Sequence, residues 1–265
     1  MIKITDQIGQ NITISKPVKR IISLVPSQTE LLIDLGLENF LVGVTKFCVH
    51  PEHIKKTVAV VGGTKNIKLE KIKSLNPDII LCNKEENTEK IVELCNCITI
   101  THVSNIFSLN DLKNLIKQYG KIFSCGIASD KIINELNTKM EVFKRFISGG
   151  TQKKVIYFIW RDPWMVAGND NFINHLLELN NFQNMFAHIS RYPQVSLKEI
   201  SGQQETPDLI LLSSEPYPFK NTHLVEIKKH FKNVKIVFVD GEMFSWYGSR
   251  VLKAFDYFKE LHSRI

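Results

Sequence analysis

Rings beside charged groups recur along this chain, each cluster close to a β-rich apolar run. Phe47 comes just after Val42–Val44, and Trp160-Arg161-Asp162-Pro163-Trp164 closes the run that begins at Val155. Arg191-Tyr192-Pro193 precedes a short helical segment. Glu215-Pro216-Tyr217-Pro218-Phe219 follows Leu209–Leu212, and Asp240-Gly241-Glu242-Met243-Phe244-Ser245-Trp246-Tyr247 follows Val234–Val239. Aromatic faces offer large contact area with few rotatable bonds, and arginines such as Arg161, Arg191 and Arg250 suit carboxylates or phosphates. Taken singly, Trp160, Phe244 or Trp246 fits a core position equally well. Together the clusters predict a surface that binds a small molecule, because ligands of open α/β sheets sit beyond the strands' C-terminal ends.

Catalytic patterns are missing. Gly62-Gly63-Thr64-Lys65 and Gly149-Gly150-Thr151 lack the spacing of a phosphate-binding loop, and no G-x-G-x-x-G, H-E-x-x-H or G-x-S-x-G occurs. Histidines cluster only at His50-Pro51-Glu52-His53. Cys48 and His50 can reach one metal from a loop, but two ligands are too few for structural zinc, so packed or loop roles are expected and no metal site is assigned. The expectation is a binding protein, not an enzyme.

Composition narrows the class. The 265 residues are 43% hydrophobic and 23% charged, which excludes disordered and low-complexity chains. Net charge is +7, but the lysines are scattered along helices, so a solvated surface is expected rather than a nucleic-acid partner. Five cysteines without framework spacing read as reduced thiols. Met1-Ile2-Lys3-Ile4-Thr5-Asp6 has no signal-peptide pattern, so the expected location is cytoplasmic as encoded, or periplasmic if a leader has been removed.

The elements that position these clusters follow from periodicity. Ile2–Ile14 reads as a hairpin around Gly9, and Arg20–Val25 as a buried strand. Ser27 and Glu30 match a capping box that opens a helix ending at Gly36. Strand–helix alternation continues to Thr101, which predicts a parallel sheet covered by helices. Helices follow from Ser108 and from Ser129 or Asp130, the second ending at Gly149-Gly150. Alternation then restarts at Val155 and ends with a helix over 250–261. The expected division is 1–126, a backbone helix over 127–150, and 151–265. An internal echo supports two related lobes: Leu69-Glu70-Lys71-Ile72 precedes Pro77-Asp78-Ile79-Ile80-Leu81 as Leu197-Lys198-Glu199-Ile200 precedes Pro207-Asp208-Leu209-Ile210-Leu211.

Arg20-Ile21-Ile22-Ser23-Leu24-Val25-Pro26-Ser27, with Thr29-Glu30, resembles the opening of the helical-backbone (class III) substrate-binding proteins of ABC importers, the cobalamin and siderophore receptor family. Gly43-Val44 with Pro51, Leu69–Ile72 with Pro77-Asp78, Gly168 with Phe172-Ile173-Asn174, Pro193-Gln194-Val195-Ser196 and Phe244…Ser249-Arg250 fit the same family, covering nearly the whole chain. The resemblance implies two α/β lobes with mainly parallel sheets, bridged by one long helix, and a ligand cleft between lobes that closes little. Carried onto this chain, Phe47 stands where a cleft tyrosine does and Trp160 falls beside a second-lobe aromatic. Tyr192 takes a cleft tryptophan's place and Glu242 that of an aspartate that contacts the ligand. The first-lobe tryptophan falls near Thr64, so that ring is missing. Family members dock one surface glutamate per lobe on permease arginines. Glu70 matches in the first lobe, whereas Lys198 holds the second place with Glu199 beside it.

The expected ligand is a metal chelate: a cobalamin-like corrinoid, haem or a ferric siderophore. Its candidate contacts are Phe47, Trp160, Arg161, Tyr192, Glu242, Trp246 and Arg250, with Glu70 and Glu199 facing an ABC permease. No resident cofactor and a monomeric state are expected. The alternative is a cytosolic chelatase-like protein that handles a metal chelate or cluster without a transporter.

Overall fold

The structure is a computed structural model describing residues 1–202 and 204–265. β1 (Ile2–Thr5) and β2 (Asn11–Ile14) form the expected antiparallel hairpin. β3 (Ile21–Ser23), β4 (Leu41–Val44), β5 (Ala59–Val60), β6 (Ile79–Asn83) and β7 (Ile100–Ser104) then build a parallel sheet in the order β5-β4-β3-β6-β7. The second sheet contains β8 (Lys153–Trp160), β9 (Met165–Val166), β10 (Phe182–Asn184), β11 (Leu209–Ser213) and β12 (Lys235–Val239). Its order is β10-β8-β11-β12, all parallel, with β9 antiparallel on β8. Every residue of β6 and of β11 is buried, as continuous apolar runs covered on both faces require.

Two compact units result: Met1–Leu136 with Tyr247–Arg250, and Asn137–Trp246 with Val251–Ile265. This differs from the contiguous division expected from sequence in two ways. The long helix runs from Gly126 to Ile147, beginning before Ser129, and the unit boundary falls inside it. Its 22 residues span about 33 Å at ~1.5 Å per residue. Ile132, Ile133 and Leu136 are buried in the first unit, while Phe143 packs on Phe255 and Phe258 of the second at 5.7 and 5.9 Å.

The second difference is the segment Tyr247–Arg250, which belongs to the first unit. Arg250 donates from Nε and Nη2 to the Glu30 carboxylate at 2.8 and 3.0 Å, and both side chains are only 6% exposed. The capping box is thereby corrected. Val25 is the N-cap of the Pro26–Asp34 helix, with no side-chain cap, and Pro26 occupies its first turn, where a missing N–H costs nothing. Glu30 is a buried ion-pair partner instead. Gln28 adds to the attachment: its Nε2 donates to the Tyr247 hydroxyl, Ser104 Oγ and the Cys82 carbonyl, while its Oε1 accepts from Tyr119. Gly248, at φ +105°, permits the approach, since a Cβ there would lie 3.0 Å from the Ser27 carbonyl.

The Pro-Asp echo has one physical role in both units. Asp78 accepts from the backbone N–H groups of Lys19 and Arg20 at 2.9 Å each, tying β6 to the start of β3. Asp208 accepts from the Lys154 N–H at 2.7 Å, tying β11 to β8. Burial opposes ionisation of Asp78, but the Lys19 N–H, the Lys16 ammonium and the Arg20 N–H outweigh it and hold the carboxyl below its usual 3.8.

Arg250→Met should lower unfolding free energy by about 3–5 kcal/mol, because it strands a buried carboxylate; urea denaturation measures this, and a loss under about 1 kcal/mol, the surface-pair range, would contradict it. Asp78→Ala should cost about 1–3 kcal/mol at neutral pH. A depressed folded-state pKa stabilises above the unfolded value and is lost as pH falls through the folded one. The gap between wild type and Asp78→Ala should therefore narrow below pH ~4, and a pH-independent gap would contradict the assignment.

Candidate functional site

In the first unit, the Lys46 N–H donates to the Gly62 carbonyl, joining the loops after β4 and β5, and backbone-directed side chains tie the loops after β5 and β6. Asn83 Oδ1 accepts from the N–H groups of Glu85 and Glu86 at 2.9 and 3.1 Å, and Asn87 Nδ2 donates to the Thr64 carbonyl at 2.9 Å. Phe47, past the end of β4, is 48% exposed, with the Lys46 ammonium 4.9 Å from its ring centroid. Gly63 makes room for that ring, since a Cβ there would lie 3.1 Å from Phe47 Cε2. Thr64 is buried. Burial, then repulsion from Glu85, raises the Glu86 carboxyl above its ordinary value, with Lys65 and Thr64 opposing. The loops thus present an aromatic face beside two lysines and a carboxyl that gains a proton readily.

The thiol of Cys48 turns inward. It is fully buried and lies 3.2 and 3.3 Å from the hydroxyls of Thr29 and Thr45, and burial raises its pKa. His50 is half-buried. Among the described residues no group of three or more His, Cys, Asp or Glu side chains could hold a metal ion.

In the second unit the ring clusters that follow β8 and β11 in sequence pack on one another. Trp160 ends β8 and is 38% exposed, the first side chain of that strand after five buried ones. Tyr217, in the loop after β11, meets it edge-on at 5.5 Å between centroids. Tyr217 also packs on Phe219 at 5.0 Å, and Phe219 stacks on Trp164 at 5.9 Å with 7° between planes. The loops after β11 and β12 are joined by Ser245 Oγ, which donates to Glu215 Oε1 at 2.8 Å.

The other expected contacts are placed as follows. Arg161 lies 4.7 Å over the Trp164 ring and pairs with Glu226 at 3.1 Å and with Asp162. Arg250 is taken up by Glu30 in the first unit, so its expected role as a ligand arm is replaced by a structural one. Tyr192 is half-buried with the Arg191 guanidinium 5.4 Å from its ring; its loop pairs with the segment following β9 through Gly168 and Asn169. Glu242 and Trp246 are both half-buried; Glu242 lies in the first turn of the Gly241–Ser245 helix, Trp246 is its C-cap, and the N-cap Asp240 accepts from the Glu242 N–H. Glu70 and Glu199 are exposed in the first turns of the Leu69–Ser74 and Leu197–Ser201 helices, the equivalent elements of the two units, and Lys198 is exposed as well. Sequence reasoning did not select Tyr217 or His223. The Glu215–Phe219 loop was a visible signal, but His223 sits in a polar stretch with nothing to mark it.

Comparison with known proteins places this geometry. Residues 21–235 match the model of the periplasmic binding protein family. An uncharacterized ABC transporter substrate-binding lipoprotein of Bacillus subtilis is 28% identical over 203 residues, covering 74% of this chain and 64% of the relative. A vitamin B12-binding protein of Vibrio parahaemolyticus is 24% identical over 201 residues, 75% of this chain and 72% of that one. Among solved structures, the periplasmic vitamin B12-binding protein BtuF of Vibrio cholerae superposes with a TM-score of 0.78 at 20% identity, covering 91% of this chain and 95% of its own. The periplasmic haem-binding protein HutB of the same organism gives 0.76 at 20% identity, over 92% and 98%. With the family model matched across most of its length, this chain belongs to the periplasmic binding protein family.

Proposed function

We propose that this chain is a non-enzymatic substrate-binding protein that holds a flat metal chelate for an ABC importer. The observation that carries the reading is exposed rings near strand C-terminal ends, Phe47 past the end of β4 and Trp160 at the end of β8. Apolar rings this exposed, each beside polar groups, suit the face of a macrocycle. The names of the relatives, vitamin B12-binding and haem-binding, support a corrinoid or a porphyrin, with a ferric siderophore as the third member of the class. Tyr192, Glu242 and Trp246 complete the proposed contact set.

The substrate-binding lipoprotein relative supports a permease partner and a location outside the cytoplasmic membrane. No helix among the described residues is long and apolar enough to cross a membrane. Glu70, whose side chain is 84% exposed and pairs only with Lys73 among the described residues, is the proposed docking carboxylate of the first unit, with Glu199 for the second. A chelatase-like reading would use Cys48 as a metal ligand. The sealed, hydrogen-bonded state of that thiol argues against it.

Tryptophan fluorescence titration with cyanocobalamin, cobinamide, haemin and a ferric siderophore should give saturable quenching by one of them. Silence towards all four would overturn the ligand class. Phe47→Ala and Trp160→Ala should each weaken that binding by about 1–3 kcal/mol, the loss for a contact aromatic; unchanged affinity in both would place the ligand elsewhere. Glu70→Ala should leave affinity unchanged while reducing capture by the permease at low ionic strength, where charge pairing governs association. Weakened ligand binding in that variant would contradict the docking role.

A further inference from the structure

We infer that Tyr217 is a hydrogen-bond donor to the ligand, and that His223 fixes it in that role. The inference rests on the substrate-binding reading above and adds to it the chemistry of one contact. His223 Nδ1 accepts from the Lys220 backbone N–H at 2.9 Å, at the start of the Asn221–Lys228 helix. A backbone N–H can only donate, so Nδ1 carries no proton and the neutral ring's single N–H is on Nε2. That Nε2 lies 3.0 Å from the Tyr217 hydroxyl. The imidazole therefore donates, the phenol oxygen accepts, and the phenol's own proton is directed to another acceptor. Among the described residues no protein group takes it.

Position supplies the second observation. Tyr217 is half-buried in the loop after β11 and lies edge-on to the exposed Trp160 ring at the end of β8. Phe219 and His223 contact the Tyr217 ring at 5.0 and 5.3 Å and limit its rotation. A flat ligand stacked on Trp160 would thus meet one oriented donor at its edge. The chemistry this recognises is a planar macrocycle bearing an acceptor oxygen on its periphery. Carboxylates of a porphyrin and amide oxygens of a corrin share that chemistry, and the two are separated by using one of each as probe.

Two substitutions divide the functions of His223. Asparagine places its amide oxygen where Nδ1 lies, keeping the Lys220 bond but losing the donor to Tyr217. Glutamine reaches the Nε2 place with an N–H, keeping the donor but not the helix cap. Titrations with cyanocobalamin and with haemin should show Tyr217→Phe and His223→Asn each weakening the bound probe five- to twentyfold, with the double variant no worse than Tyr217→Phe alone. His223→Gln should stay within threefold of wild type. If His223→Gln is weaker than His223→Asn, the histidine is only a helix cap and the inference falls. If Tyr217→Phe binds like wild type, the donor role falls while the substrate-binding reading stands; failure of wild type to bind either probe removes that reading for macrocycles, and the inference with it. Independently of ligand, 15N NMR of the imidazole should show an unprotonated Nδ1 and a protonated Nε2, and the opposite tautomer would overturn the relay.

Discussion

A carboxylate and a guanidinium removed from water hold the first unit of this protein together across the length of its sequence. Glu30 and Arg250 are 220 residues apart, and each is almost fully buried against the other. A buried charge is tolerated only when paired and hydrogen-bonded, and each of these groups supplies that pairing to the other. The pair fastens Tyr247–Arg250 to the Pro26–Asp34 helix, and the Gln28 amide doubles the fastening through the Tyr247 hydroxyl. Burial lifts the pKa of that phenol far above its ordinary value, so Tyr247 stays a neutral donor and acceptor throughout the physiological range. The chain thus returns to its first unit before its last helix, passing between the units at 136/137, 246/247 and 250/251.

The same economy of means shows in the paired architecture. Each unit uses an aspartate after a proline to tie a central buried strand to its neighbour. Tying strands at their N-terminal ends leaves the C-terminal ends to loops, and in open parallel sheets those ends are where ligands bind. The loops are then held by short polar side chains, Asn83 and Asn87 in one unit and Ser213, Ser214 and Ser245 in the other. Rings can therefore stand exposed without collapsing inward.

Much of this was legible in the sequence, because its signals were local. Apolar runs marked the strands, and the repeated Pro-Asp strand starts marked two units. Local signals misled where a distant partner decided the outcome. Ser27 and Glu30 have capping-box spacing, but the carboxylate is claimed by an arginine at the other end of the chain. Arg250 read as an arm for an anionic ligand because its buried partner, Glu30, is remote in sequence. Cys48, expected in a packed or loop role, is buried with its thiol beside two threonine hydroxyls. The Tyr217–His223 contact escaped because it depends on ring orientation, which no spacing rule encodes.

The proposal at the centre of this account is that exposed rings in strand-end loops contact the ligand. Hydrogen–deuterium exchange of the full chain, with and without a saturating macrocycle, locates that contact directly. The account predicts added protection in residues 45–48, 62–65, 160–164 and 215–219, with the Leu69–Ser74 and Leu197–Ser201 helices unchanged. Saturable binding with protection confined to other segments would contradict it.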